Sequence, residues 1–307
     1  MKQIHEGMPL QPWEYRVSGG FTVRGYHSPP SGRPVLHFLH GNSYCGLVYG
    51  ALLAPLARHF DLFLSDVQGH GESDHGGRFR GWNRSADYCV EAWQHHAPLW
   101  PGQPVYALGH SFGGVITSLI MARHPALFRR SVLLDPVLFT PAMIGVMAFS
   151  DVTGLSRLNS HAKRARRRRS QWPGQQAAFD SLQGRGMFRG WDERCLRDYV
   201  QHAMRPVEDG VELKCRPSRE AEIFGSFPRR LWSSLSRIQT PTLLLYGEQS
   251  YPFVAKSAAR LAAINERVRA AAAAGGHCFM LQHPDATAQR VLAALIPEPQ
   301  ARASAVA

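Results

Sequence analysis

The stretch "VYALGHSFGG", residues 105–114, constrains this chain more than any other. Its first four residues form a short apolar run that reads as a buried strand, and residues 112–123 carry a helical pattern. Between them, Gly109-His110-Ser111-Phe112-Gly113 fits the pattern G-x-S-x-G in the strand–turn–helix context that makes it a nucleophile elbow. A turn that sharp strains the serine backbone and lifts its Oγ clear of the sheet edge. Side chains at 109 and 113 would collide with the neighbouring strand and helix, so glycine is required at both. The start of the helix offers free N–H groups and partial positive charge where an oxyanion can form, which makes the Phe112 amide a candidate donor.

Two further segments supply partners. "HFLHGNSY" places His40-Gly41-Asn42 after a strand ending at Leu39, and the Asn42 N–H is the candidate second oxyanion donor. Ser43 and Tyr44, which follow, are candidates for the pocket wall, as are His110 beside the serine and Tyr251 farther on. "AGGHCFMLQHPD" puts His277 after two glycines, between the last strand and the last helix, where a general base for Ser111 would sit. Fifteen histidines dilute the weight of any one of them, and His277 stands out by its place alone. His40, His70 and His110 also read as packing or turn residues.

Around these motifs, apolar runs alternate with helix-length segments, the pattern of a mainly parallel sheet flanked by helices. The expected strands cover 21–26, 35–39, 62–66, 105–109, 131–135, 242–246 and 268–273. The expected helices cover about 47–58, 84–99, 112–123, 253–264 and 285–295, the last opening on a capping Asp285. From about 139 to 236 the alternation stops. That region is rich in Arg, Trp and Gly, shows helical patches and no convincing strand, and reads as an inserted helical cap between two core strands. The core is then 1–138 and 237–296, with a disordered tail over 297–307.

With the elements in the order HG, GHSFGG, GGH, the chain resembles the α/β-hydrolase superfamily, in particular its serine esterase and lipase-like members with a helical cap. "LSDVQGHGESD" adds to the likeness, as an aspartate at a strand end followed by GHGxS recurs there; Asp66 is expected to fix that turn through backbone amides. The likeness spans about 20–138 and 237–296 and leaves the insertion unconstrained. It implies an α/β-hydrolase fold and acyl transfer to Ser111 and then to water, without a metal or other cofactor.

The resemblance also implies an acid in the loop after the strand 242–246, and here "LLLYGEQSYPF" offers Ser250 and Tyr251 instead. Three alternatives stay open. Asp135, at the C-terminal end of the strand in "SVLLDPVLF", lies on the active-site edge of such a sheet, and some members of the superfamily take their acid there. Glu248 is acidic and near the usual place but differs in register. A Ser–His dyad without an acid is the third. Thioester, lactone, amide and C–C bond hydrolysis use the same groups, so a carboxylic ester is one reading among these. A non-catalytic scaffold that binds a partner is the rival from another class.

The net charge is +12, and the run "KRARRRR", Lys163 to Arg169, carries six of those charges. The run reads as a solvated helix face, or as a means of drawing an anionic substrate or membrane surface to the entrance. No nucleic-acid-binding motif accompanies it, and no nucleic-acid partner is expected. The candidate apolar roof is Trp172, Phe179, Met187, Phe188, Trp191 and Phe224, although most of these read equally as the insertion's own core. Five scattered cysteines without a CxxC pair, and no apolar leader in "MKQIHEGMPLQPWEY", point to a cytoplasmic protein; oligomeric state has no signature.

Overall fold

In the computed structural model, which describes residues 2–4, 8–152 and 159–296, the chain is organised by nine strands in one twisted sheet. In chain order the strands are β1 (Lys2–Ile4), β2 (Met8–Arg16), β3 (Thr22–His27), β4 (Val35–Leu39), β5 (Asp61–Asp66), β6 (Val105–His110) and β7 (Ser131–Leu134). After an insertion that holds the short strands β8 (Gln171–Trp172), β9 (Met204–Val207) and β10 (Gly210–Leu213), the sheet ends with β11 (Thr242–Gly247) and β12 (Val268–Ala273). The order across the sheet is β1-β2-β3-β5-β4-β6-β7-β11-β12. Pairing is antiparallel from β1 through β5 and parallel from there to β12.

The parallel strands show why they sit at the centre. "VLHFL" of β4 and "DLFLSD" of β5 are buried at every position, because helices cover both faces of the sheet. The helices Trp82–His96 and Phe112–Arg123 pack on one side, and Gly50–Leu56 and Pro284–Leu295 on the other. The expected strands and helices of the core recur within a few residues. Asp285 is a correction: the last helix begins at Pro284 with His283 in the capping position, and Asp285 sits in its first turn, paired with Arg194 at 2.8 Å.

β2 had no counterpart in the sequence reading. Its "MPLQPWEYR" contains two prolines and buries only Leu10 and Trp13, so neither alternation nor apolar content marks it. Trp13 anchors it by stacking on Phe63 and by donating its Nε1–H to the Leu64 carbonyl.

The region 139–236 also departs from expectation, since it carries a three-stranded antiparallel sheet ordered β8-β10-β9 besides its helices. The β9–β10 turn runs through Glu208-Asp209 into Gly210 (φ +131°), where a side chain would meet the Trp172 carbonyl at 2.1 Å. Strands of two to four residues are too short to show a period, and Asp-Gly was their one local signal. Helix Glu193–His202 of this region lays Leu196, Tyr199 and Val200 into the same hydrophobic cluster as Tyr44, Leu47 and Val48 of the core. The expected tail at 297–307 lies outside the described residues. No helix among the described residues is long and apolar enough to cross a membrane.

The interior holds several neutral imidazoles. Burial keeps His37 and His40 at about 4 and His70 and His110 well below the ordinary value of 6.5. The unfolded chain protonates these groups near pH 6.5 and the folded chain does not, so stability falls as pH drops from 6.5 towards 4. Asp66 opposes this: burial pushes its carboxyl up to about 6, which favours the folded state as pH falls through 6. One opposing group does not cancel four, and each net proton is worth ~1.4 kcal/mol per pH unit. The urea midpoint is therefore expected to fall from pH 7 to pH 5, less steeply in His37→Leu. A midpoint that stays constant over that range would show the buried imidazoles do not control acid stability.

Candidate active site

Ser111 sits between β6 and the helix Phe112–Arg123 with φ +52° and ψ −114°, a conformation few side chains adopt. Strain of this kind costs about 1–3 kcal/mol and persists only where the surroundings enforce it. The glycines show how. A Cβ on Gly113 would lie 2.2 Å from the Leu39 carbonyl, and one on Gly109 would lie 2.5 Å from Thr117 Oγ1. Without side chains there, β4, the elbow and the helix close on one another and leave the serine the one tight turn available.

His277 reaches the serine from the loop after β12. Its Nε2 lies 2.9 Å from Ser111 Oγ and its Nδ1 lies 2.5 Å from Asp135 Oδ2. The loop folds as it does because Gly275 takes φ +111° and because Gly247 admits the Gly276 carbonyl, which would be 2.3 Å from a Cβ there. Gln282 fastens it by accepting the Gly276 N–H at 2.9 Å.

Asp135 follows β7 with φ +43°, a left-handed conformation that Asp tolerates better than most residues, and it is fully buried. Three donors converge on its carboxylate. The Gly247 N–H reaches Oδ1 at 2.7 Å, and the Ser250 hydroxyl and the His277 Nδ1–H both reach Oδ2. Since Asp135 accepts from Nδ1–H, Nε2 carries the lone pair and accepts from the Ser111 hydroxyl. Glu248 is exposed and, among the described residues, no hydrogen bond or ion pair joins it to His277, so of the two acids it is Asp135 that the fold brings to the imidazole. Ser250, which reads in the sequence as a misplaced residue, is a further donor to that acid.

The remaining candidates divide. Phe112 is the first residue of its helix, so its N–H has no partner within the helix. Asn42 lines the cavity in front of Ser111, and its side chain lies 3.2 Å from His70 Nε2 and 3.4 Å from the Glu220 carbonyl. Tyr44 and Tyr251 also line the cavity, Tyr251 with its ring 5.0 Å from that of His277. Ser43 and His110 do not. Ser43 is buried with φ +72° and is not among the residues that line the cavity. His110 lies beneath the elbow: the Tyr49 hydroxyl takes the Gly41 N–H and donates to His110 Nδ1 at 2.6 Å, leaving Nε2–H to donate to the His277 carbonyl at 3.1 Å. That chain ties the loop after β4 to the backbone of His277. Asp66 accepts the N–H groups of Gly46 and Glu72, the turn-fixing role its motif suggested.

The cavity has a volume of about 470 Å³ and a mostly apolar wall that includes Val137, Phe139, Met143, Met147, Phe224 and Phe253. Of the roof residues proposed from sequence, Met187 and Phe224 line it, whereas Trp172, Phe179 and Phe188 are buried within the insertion and Trp191 packs on Tyr44 and Tyr199. Met143, Val146 and Met147 come from the helix Pro141–Val152, which lies in the region assigned to the insertion and was not among the helices expected from sequence. Among the described residues one charged group faces the cavity: Glu220, held at 2.7 Å by Arg168 from the basic run. Arg168 is thus turned inward, while Lys163, Arg164, Arg166 and Arg167 are exposed. Among the described residues no cluster of three His, Cys, Asp or Glu side chains is arranged to hold a metal ion.

A strained serine, an imidazole and a buried carboxylate at the C-terminal edge of a parallel sheet define a hydrolase of the α/β type. The profile of the Alpha/beta hydrolase family matches residues 38–290, and the chain belongs to that family. Among curated relatives, it is 29% identical over 115 residues to "Abhydrolase domain-containing protein AKT2" of Alternaria alternata, covering 38% of this chain and 39% of that one. It is 31% identical over 106 residues to "Type I acyl-CoA thioesterase mpaH" of Penicillium roqueforti, covering 34% and 22%. It is 30% identical over 94 residues to "Lysophospholipase L2" of Escherichia coli, covering 29% and 26%. These matches span about two fifths or less of the relatives' length. The solved structure of E-2-(acetamidomethylene)succinate hydrolase superposes with a TM-score of 0.72 at 21% identity, covering 92% of this chain and 99% of that one.

Replacing Asp135 by Asn keeps a residue that accepts the positive φ but removes the charge behind His277. If the site is catalytic, Asp135→Asn is expected to lower kcat about 10³–10⁴-fold, Ser250→Ala about tenfold, and Glu248→Gln less than twofold on any turned-over substrate. Steady-state kinetics with thermal melts as a folding control check this. A larger loss from Glu248→Gln than from Asp135→Asn would reverse the assignment.

Proposed function

We propose that the chain is a serine hydrolase that cleaves a carboxylic ester with a hydrophobic acyl or alcohol part through an acyl-enzyme on Ser111. The observation that carries this reading is the continuous hydrogen-bond chain from Asp135 through His277 to Ser111. Ser111 Oγ adds to the substrate carbonyl carbon while His277 Nε2 takes its proton, and buried Asp135 stabilises the imidazolium that results. Charge on the carbonyl oxygen meets the N–H groups of Phe112 and Asn42. The intermediate collapses as the leaving oxygen takes the proton from His277. Water, deprotonated by the same imidazole, then releases the acid and restores Ser111.

The insertion acts in this scheme as a cap that roofs the serine. Two relatives bear the names of a thioesterase and a lysophospholipase, which supports acyl transfer from a hydrophobic substrate and leaves ester and thioester both within reach of the site. All five cysteines are free and buried, which suits a reducing compartment, and the cytoplasm is the location we assign.

A fluorophosphonate probe is expected to label the folded protein at Ser111 and not the Ser111→Ala variant. On p-nitrophenyl esters, kcat/KM is expected to rise about fourfold per added methylene until the cavity is filled, at ~0.8 kcal/mol per buried CH₂. No labelling of folded protein would instead mark a binding scaffold.

A further inference from the structure

Beside the apolar cavity lies a second, larger one of about 720 Å³, and its wall is of the opposite character. Among the described residues six arginines line it: Arg78, Arg80, Arg84, Arg123, Arg166 and Arg229. Two carboxylates among the described residues share it, and both are engaged. Asp87 pairs with Arg123 and lies 3.6 Å from Arg84; Glu222 pairs with Arg219 at 2.8 Å and accepts the Phe79 N–H. Arg78, Arg80, Arg166 and Arg229 have no acidic partner among the described residues. Four uncommitted guanidinium groups around one concavity repel one another, and an anion with several oxygens relieves that repulsion through paired N–H donors.

The wall is held in place in advance. Gln68, buried beneath the loop 75–80, donates from Nε2 to the carbonyls of His75, Gly76 and Arg78 and accepts the Arg80 N–H on Oε1. Arg219, fully buried, donates to the carbonyls of His75 and Gly77. Trp82 lines both this groove and the cavity of Ser111. The cap helix Ser160–Arg166 divides its residues in the same way, His161 to the apolar cavity and Ala162 and Arg166 to the groove.

We infer that the groove is a phosphate-recognising subsite for the leaving group, so that the substrate is an acyl compound whose departing alcohol or thiol carries phosphate. The acyl chain fills the apolar cavity and the phosphates lie across Trp82 among Arg78, Arg80, Arg166 and Arg229. With a thioester, Ser111 Oγ bonds to the carbonyl carbon, the C–S bond breaks, and the sulfur leaves as a thiol with the proton from His277. The inference rests on the acyl-transfer reading for the position of the acyl chain, whereas phosphate binding is independent of it. Two sources share the chemistry: a thioester of a phosphoadenosine-diphosphate carrier such as coenzyme A, and a lysophospholipid head group. A concave site suits a soluble or single-molecule ligand better than a flat bilayer.

The test uses calorimetry on full-length Ser111→Ala with adenosine 3′,5′-bisphosphate, sn-glycerol 3-phosphate and uncharged adenosine. One of the two phosphates is expected to bind and adenosine not. The double variant Arg80→Ser/Arg229→Ser is expected to weaken binding at least about tenfold, as loss of charge-assisted hydrogen bonds requires, and added salt is expected to weaken it too. Preference for the bisphosphate identifies the nucleotide carrier, and preference for glycerol phosphate the lipid. With Ser111 restored, the double variant is expected to raise the ratio of KM for the phosphate-bearing acyl substrate to KM for the p-nitrophenyl ester about tenfold. If neither phosphate binds at low salt while p-nitrophenyl esters are hydrolysed, the groove assignment falls and the hydrolase reading stands. Binding to anionic vesicles but to neither soluble phosphate would also overturn it. Phosphate binding without ester hydrolysis or probe labelling would overturn the acyl-transfer reading alone.

Discussion

The buried carboxylate of Asp135 is the constraint around which the loops beside Ser111 are arranged. Asp135 has no access to solvent, and a charge so placed is tolerable only if donors replace the water it lost. Those donors come from two neighbouring segments: Gly247 at the end of β11 with Ser250 just beyond it, and His277 after β12. The imidazole is oriented by the same contact that satisfies the acid, and its orientation decides which nitrogen faces Ser111. Removing the carboxylate would leave the Gly247 N–H, the Ser250 hydroxyl and the His277 Nδ1–H without their shared acceptor, while backbone bonds from Glu248 to Ala273 and from Gln249 to Gly275 still join the two loops.

Around that edge, rigidity and openness are divided between parts of the insertion. Helix Glu193–His202 is continuous with the main hydrophobic cluster through Leu196, Tyr199 and Val200, so this part moves only if the core does. The helix Pro141–Val152 is different. It buries none of its described residues fully, leaving Val146 two-thirds exposed, and yet it supplies Met143 and Met147 to the cavity. Few buried apolar contacts mean a low cost of local opening, which places the adaptable wall of the cavity over the serine. The methionines there are unbranched and can adopt more than one packing arrangement along the cavity wall.

Much of this was readable from residues alone. The elbow at Ser111, the loops at Asn42 and His277 and the parallel core follow from glycine spacing and buried apolar runs, signals that arise within a few residues of chain. What escaped detection lacks such a local signal. β2 hides behind two prolines, and the β8–β10 sheet behind strands too short to show a period. The basic run looked uniform, but Arg168 turns inward to Glu220 while Arg166 joins arginines more than 80 positions earlier in the chain. His110 stands next to the serine in sequence and beneath it in space, because successive residues of a strand point to opposite faces. The support that Ser250 gives Asp135 joins residues 115 positions apart, a relation no sequence period encodes.

Seating the acid on a strand changes what the loop after β11 is free to become. Had the carboxylate been in that loop, every change there would have disturbed the histidine. With Asp135 anchored by the sheet, the loop owes the proton path only a hydroxyl and one backbone amide, while Tyr251 stands at the mouth of the cavity. In the proposed acyl-transfer scheme, selectivity and proton transfer are thereby assigned to separate parts of the chain. Positions 249 and 251–253 form a module in which substrate preference can drift or be redesigned while the acid–imidazole geometry is inherited intact.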